Sequence, residues 1–290
     1  MNVEIIKPYG FCYGVTTSLK ITKFAKTQHN NVIFYIFGPL IHNENVNEKL
    51  KRDNIQIIDD TQIDLVSFAE SIDKNSIVIL PAHGTFQNVY NILDKRNIKY
   101  YDSTCDIVRK INNKIKNYID YDEIIYIGVA KHKEAIVSLS YAKKPIFLYD
   151  TKYGFGENKP HFDSKKIIIN QSTLSEQEIN LAYSKIQKDY IGLTSDFEIC
   201  PFVNQRQINL KSAINDKDLF IIVGSKTSNN TKTLLDIYLN NTNSRNYLYI
   251  NSIDELDANK LISYEKIFIT SGTSAENELV ENIYNYILKI

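Results

Sequence analysis

Six short apolar runs in this chain end abruptly in small or polar residues, and three stretches of helical period stand among them. The helical stretches are residues 17–25, 107–119 and 205–214, where apolar side chains return every third or fourth position. A first set of runs follows them: VIFYIFGPLIHN (32–43), EIIYIGVAKHKE (123–134) and DLFIIVGSKTSNN (218–230). A second set is SIVILPAHGT (76–85), KIIINQST (166–173) and KIFITSGTSA (266–275). Apolar runs of this length read as strands buried on both faces, the mark of small parallel sheets covered by helices.

Each helical stretch lies just behind a cysteine. Cys12, Cys105 and Cys200 stand 93 and 95 residues apart, and such near-equal steps point to an internal repeat. The first polar tips, His42, His132 and Ser228, come 27 to 30 residues after their cysteines. The second, His83, Thr173 and Ser274, come 68 to 74 residues after them. The expected fold is therefore α/β, with three similar parallel-sheet units in pseudo-threefold arrangement around a central cavity. The units are placed at residues 1–98, 99–196 and 197–290. In sheets of this kind ligands gather beyond the carboxyl ends of the strands, where polar tips meet helix N-termini.

A lone buried cysteine is usually a small core residue. Three at one repeated position, each before a helix whose first N–H groups stabilise a thiolate, suggest a metal site instead. An odd number without a CxxC fits neither a secreted disulfide framework nor a redox pair. Thiolates select zinc, copper or iron–sulfur clusters, and three ligands leave one coordination position for a substrate. Spacing and ligand type do not separate an open zinc site from a cluster with an open iron.

The remaining tips form a set of neutral or weakly basic donors: His42, His83, His132, Thr173, Ser228, Asn230 and Ser274. With helix N-termini they suit a phosphate or diphosphate. His29 and His161 sit in polar connections and read as surface residues. Ser225–Ser228 resembles part of a phosphate loop, but the full GxxxxGK[ST] signature is missing, which argues against nucleotide hydrolysis. Glu134, two residues past His132, is a candidate proton donor; its simpler reading is a solvated charge in the company of Lys131 and Lys133.

Thirty-four basic residues balance thirty-four acidic ones, so no global charge draws in nucleic acid or an anionic membrane. The start MNVEIIKPYGFC has neither a signal peptide nor a transit peptide pattern. The expectation is a cytoplasmic protein with no nucleic-acid or membrane partner.

These motifs together resemble the LytB family, the 4-hydroxy-3-methylbut-2-enyl diphosphate reductases. GFCYGV carries Cys12, LIHNENV His42, PAHGT His83, DSTCDIV Cys105, HKE His132 and Glu134, and QSTLS Thr173. Cys200 follows, with Arg206-Gln207 six and seven residues on, then GSKTSNN with Ser228, Asn229 and Asn230, and SGTSA with Ser274. The resemblance implies a trefoil-like fold and one [4Fe–4S] cluster per subunit on Cys12, Cys105 and Cys200. It implies a substrate hydroxyl facing the open iron and a diphosphate held by His42, His83, His132, Ser228, Asn230 and Ser274. It makes Glu134 the proton donor and has Thr173 order the substrate and its water; the absence of an NAD or flavin fingerprint implies an external electron donor such as ferredoxin or flavodoxin.

Three departures stand out. HPE of many relatives is HKE here, with Lys133 in the middle. Asp106 replaces the usual Pro after the second cysteine. Asn229 replaces the middle serine of Ser-Ser-Asn. Two rival classes are a zinc hydrolase or lyase on the same thiols and a cluster protein without catalysis.

Overall fold

The structure, a computed structural model, describes all residues Met1–Ile290. Its strands are β1 (Asn2–Ile5), β2 (Phe34–Phe37), β3 (Ile55–Ile58), β4 (Ile77–Leu80), β5 (Lys99–Asp102), β6 (Glu123–Gly128), β7 (Ile146–Asp150), β8 (Gly154–Phe155), β9 (Lys166–Asn170), β10 (Leu193–Ser195), β11 (Leu219–Val223), β12 (Tyr247–Ile250) and β13 (Lys266–Ser271). The α-helices are α1 (Tyr13–Gln28), α2 (Glu44–Arg52), α3 (Leu65–Ser71), α4 (Gln87–Lys95), α5 (Asp106–Asn117), α6 (Lys133–Leu139), α7 (Glu176–Asp189), α8 (Pro201–Ala213), α9 (Asn229–Asn241), α10 (Ala258–Leu261) and α11 (Asn277–Ile287).

Three small sheets are built on one plan. Read from the same side, their strand orders are β3-β2-β4-β5, β7-β6-β9-β10 and β12-β11-β13-β1, all parallel, with β8 added antiparallel on β7. The two central strands of each sheet end in the two polar tips, and the outer strand beside them leads to a cysteine. Every residue of β4, β6, β9 and β11 is buried, as strands covered on both faces must be. Each isoleucine among them contributes roughly 1.5–3 kcal/mol by leaving water.

The chain segments that make these sheets differ from the expected divisions. β1 pairs with β13, from Asn2 beside Lys266 to Ile5 beside Ile269, so the N-terminal strand completes the last sheet rather than the first. Lys99–Asp102, placed at the start of the second segment, is the outer strand of the first sheet. Each sheet is thus finished by the strand that precedes the next cysteine, a long-range pairing that no local pattern announces. By contact density the chain forms two compact units. One comprises Met1–Thr16, His42–Val46 and Pro201–Ile290 and holds the sheet of β1, β11, β12 and β13; the other comprises Thr17–Ile41 and Asn47–Cys200 and holds the other two sheets.

The helices behind the cysteines follow from local chemistry. Cys105 stands at the N-cap of α5, and Val108, Ile111, Asn112 and Ile115 form its buried stripe at the spacing of one helix face. α8 starts at Pro201, four residues ahead of the expected start, because proline lacks only an N–H that a first helical residue does not need. α1 likewise starts at Tyr13, directly after Cys12. α7 opens on a reciprocal capping box between Ser175 and Glu178.

Candidate active site

The three cysteines occupy equivalent turns. The N–H of Cys12 donates to the Thr273 carbonyl at 3.0 Å, that of Cys105 to Ala82 at 2.9 Å and that of Cys200 to Ser172 at 2.9 Å. The residues after those carbonyls are Ser274, His83 and Thr173, the second polar tip of each repeat. A backbone bond therefore ties every cysteine to the tip of the neighbouring strand. No disulfide joins any of them. The Val15 N–H, in the first turn of α1, points at Cys12 Sγ from 3.5 Å. Cys12 belongs to one compact unit, Cys105 and Cys200 to the other, and within neither do three metal-ligating side chains come together.

In the smaller unit, the tips of β11 and β13 meet. Gly272 and Gly224 give way to one side chain: a methyl group on either would lie within 2.1 and 2.6 Å of Thr231 Oγ1. This close approach lets Asn230 Nδ2 donate to Thr273 Oγ1 at 2.7 Å. Ser228 caps α9 through its hydroxyl, and Asn229 is the first residue of that helix. Asn43, the neighbour of His42, donates from Nδ2 to the Ser274 carbonyl at 2.7 Å and accepts from the Val46 N–H at 3.1 Å. Ser274 is buried, and its hydroxyl has no hydrogen-bond partner in the protein. Such a group is costly in a finished core and economical in a ligand site.

The larger unit carries His83, His132, Glu134 and Thr173. His132 caps α6 by accepting the Glu134 N–H at Nδ1, which leaves its donor on Nε2. Glu134 is no solvated charge: it is 2% exposed. The N–H of Ser172 donates to its Oε1 at 2.7 Å and the Ser172 hydroxyl to its Oε2 at 2.9 Å. Burial pushes its carboxyl up to about 7, against the two Ser172 bonds, which pull it down.

The Thr173 side chain is bonded within its own tip. Its hydroxyl accepts from Gln171 Nε2 at 2.7 Å, and Gln171 Oε1 takes the Val129 N–H at 3.0 Å, tying this tip to the turn before His132. Ser172 is the residue that sequence reasoning missed. Successive side chains of an extended tip point to opposite sides, so the choice between Ser172 and Thr173 hangs on a register that QSTLS alone does not fix.

The departures Lys133 and Asp106 have a local account. Lys133 forms an ion pair with Asp60, whose side chain is 6% exposed, and lies over the Phe86 ring at 5.1 Å. Asp106 is the acidic residue of the first turn of α5, where the helix dipole favours it. Asn229 makes no contact that explains its replacement of serine.

A family model described as LytB protein matches residues 3–288. A 4-hydroxy-3-methylbut-2-enyl diphosphate reductase of Clostridioides difficile (strain 630) is 27% identical over 289 residues, spanning 99% of both chains. Its counterpart in Wigglesworthia glossinidia brevipalpis is 29% identical over 293 residues, spanning 99% of this chain and 90% of the relative. The solved E-1-hydroxy-2-methyl-but-2-enyl-4-diphosphate reductase of Plasmodium falciparum superposes with a TM-score of 0.83 at 26% identity, covering 98% of this chain and 87% of that one. A solved (E)-4-hydroxy-3-methyl-but-2-enyl diphosphate reductase, described as the terminal enzyme of the non-mevalonate pathway, gives 0.70 at 21% identity over the whole of both chains and speaks for the fold alone. With the repeated cysteine turns, the shared fold and a match running almost end to end, the chain belongs to the LytB protein family.

Proposed function

We propose that this chain carries out the reaction for which its relatives are named, reducing 4-hydroxy-3-methylbut-2-enyl diphosphate to isopentenyl and dimethylallyl diphosphate. The observation that carries the reading is the family match over residues 3–288, which spans every cysteine and polar tip singled out in the sequence. Cys12, Cys105 and Cys200 are assigned a [4Fe–4S] cluster, one per chain. Their chemistry fits that group: three thiols outside any disulfide, each before a helix whose first N–H groups favour the thiolate. Bound there, the cluster supplies electrons and a Lewis-acidic iron for the substrate oxygen.

The rest of the reaction falls to side chains. His42, His83, His132, Ser228, Asn229, Asn230 and Ser274 are assigned to the diphosphate. Neutral donors suit it, because their bonds to an anion are charge-assisted and bury no second full charge. The buried Ser274 hydroxyl supports this assignment, since a diphosphate oxygen would give it the partner it otherwise lacks. Glu134 is the proton donor. With its carboxyl pushed up to about 7, a large share of it is protonated at neutral pH, and that proton lets the hydroxyl leave as water. Ser172 holds both of its oxygens, and Thr173 is assigned to order the substrate and its water.

Overall, two electrons and two protons are consumed and one water is released. The electrons come from an outside protein such as ferredoxin or flavodoxin, and the reaction runs in the cytoplasm. No helix is long and apolar enough to cross a membrane. Metal and sulfide analysis after anaerobic purification tests the reading: iron with acid-labile sulfide is expected, and zinc without sulfide would replace it with a zinc hydrolase or lyase.

A further inference from the structure

The helix behind each cysteine reaches for the turn in front of another cysteine, and the three reaches close into a cycle. α1, which follows Cys12, carries Ser18; its hydroxyl lies 2.6 Å from that of Ser103, two residues before Cys105. α5, which follows Cys105, carries Lys110 and Lys114; they bind Glu198, two residues before Cys200, at 2.8 and 3.1 Å. α8, which follows Cys200, carries Arg206; its Nη2 donates to the carbonyl of Gly10, two residues before Cys12, at 2.6 Å. Each of these contacts lies inside one compact unit.

The side chains differ while the position held is the same. A hydroxyl pair, an ion pair and a guanidinium–carbonyl bond have no common chemistry to inherit from a shared repeat. What recurs is the residue they hold. Around it the fastening is dense: Ser103 also donates to the Leu80 carbonyl at 2.6 Å. Glu198 exchanges backbone bonds with the fully buried Asn170, at 2.8 and 3.0 Å, and Lys114 also pairs with Asp196 at 2.6 Å. Arg206 also donates to the Ser271 and Gly272 carbonyls, at 2.8 and 3.1 Å. Each cysteine N–H is itself tied to a neighbouring tip. The backbone is thereby held at the cysteine and two residues ahead of it, leaving one residue between the fixed points.

We infer that Ser18, Lys110 with Lys114, and Arg206 are positioning residues: each locks the turn of the next cysteine in the cycle into ligand-ready geometry before a cluster arrives. This rests on the cysteines being cluster ligands. Supporting residues of this kind set how well a site holds its metal, because a ligand already in place loses no freedom on binding. Breaking a lock loosens the cysteine its acceptor precedes, not the cysteine at the root of the helix that carries it.

Thiol alkylation of metal-free, reduced protein, followed at each cysteine by mass spectrometry, reads this directly. The Lys110→Met/Lys114→Met double variant should label Cys200 about three- to tenfold faster, the scale of losing a few partly exposed ion pairs, with Cys105 unchanged. Restoring the charges as Lys110→Arg/Lys114→Arg should return the rate to that of the parent. Ser18→Ala should quicken Cys105 and spare Cys12, and Arg206→Met should quicken Cys12 and spare Cys200. Faster labelling of the root cysteine, an equal rise at all three, or no change in the double lysine variant would overturn the inference. Arg206 is buried, so its variant is first checked for folding by circular dichroism; the lysine arm decides alone if it fails. The experiment contains no metal, so it stands apart from the iron and sulfide analysis that tests the cluster.

Discussion

Replacing Glu134 by glutamine removes a buried acid while keeping its shape, and the consequence can be worked out from its surroundings. Burial raises the carboxyl from 4.5 to about 7, so about 2.5 pH units separate the folded and unfolded titrations. At about 1.36 kcal/mol per unit this is about 3 kcal/mol, with no discount for solvent because the side chain is buried. The folded state binds the proton more tightly, so the favourable contribution is complete below 4.5 and fades as pH rises through about 7. Above that the ionised carboxylate carries the full desolvation cost. A glutamine does not titrate, and its amide can still meet the Ser172 N–H and hydroxyl. Urea unfolding of metal-free parent and Glu134→Gln should therefore give similar stabilities below about pH 4.5. The variant should gain up to about 3 kcal/mol above pH 7. In the loaded enzyme the same variant should keep substrate affinity and lose turnover. A stability difference that does not change with pH would refute the buried-acid account, and nearly unchanged turnover would refute the proton-donor role.

Serine at Cys12, Cys105 or Cys200 should abolish or destabilise cluster binding, read as lost iron and sulfide after anaerobic reconstitution. His42→Ala should weaken substrate interaction by about 1.5–3 kcal/mol, the worth of a hydrogen bond to a charged group, seen in the concentration dependence of turnover. Lys133→Met should lower stability by roughly 1–3 kcal/mol, because the little-exposed Asp60 carboxylate is left without its cation. Denaturant midpoints test this, and an unchanged midpoint would show the ion pair to be incidental.

Much of the fold is visible in the sequence because its signals are local. Apolar runs that stop in Gly, Ser, Thr, His or Asn mark strand ends, and a near-equal cysteine step marks the repeat. Two features lie beyond such signals. β1 joins β13, more than 260 residues away, and an isolated four-residue strand carries no label for the sheet that accepts it. Ser172 and Thr173 are adjacent and chemically alike, so only the folded register shows which one faces Glu134. The locks at Ser18, Lys110, Lys114 and Arg206 hide for a related reason: each looks like an ordinary polar residue on a helix until the turn it holds is seen.

The assay that bears most directly on the central claim uses anaerobically reconstituted protein with 4-hydroxy-3-methylbut-2-enyl diphosphate and an artificial one-electron reductant. Isopentenyl and dimethylallyl diphosphate should appear together, with two electrons consumed per product molecule. Protein that holds its full iron and sulfide, accepts electrons and still returns the substrate unchanged would contradict the account and leave a cluster protein without this catalysis.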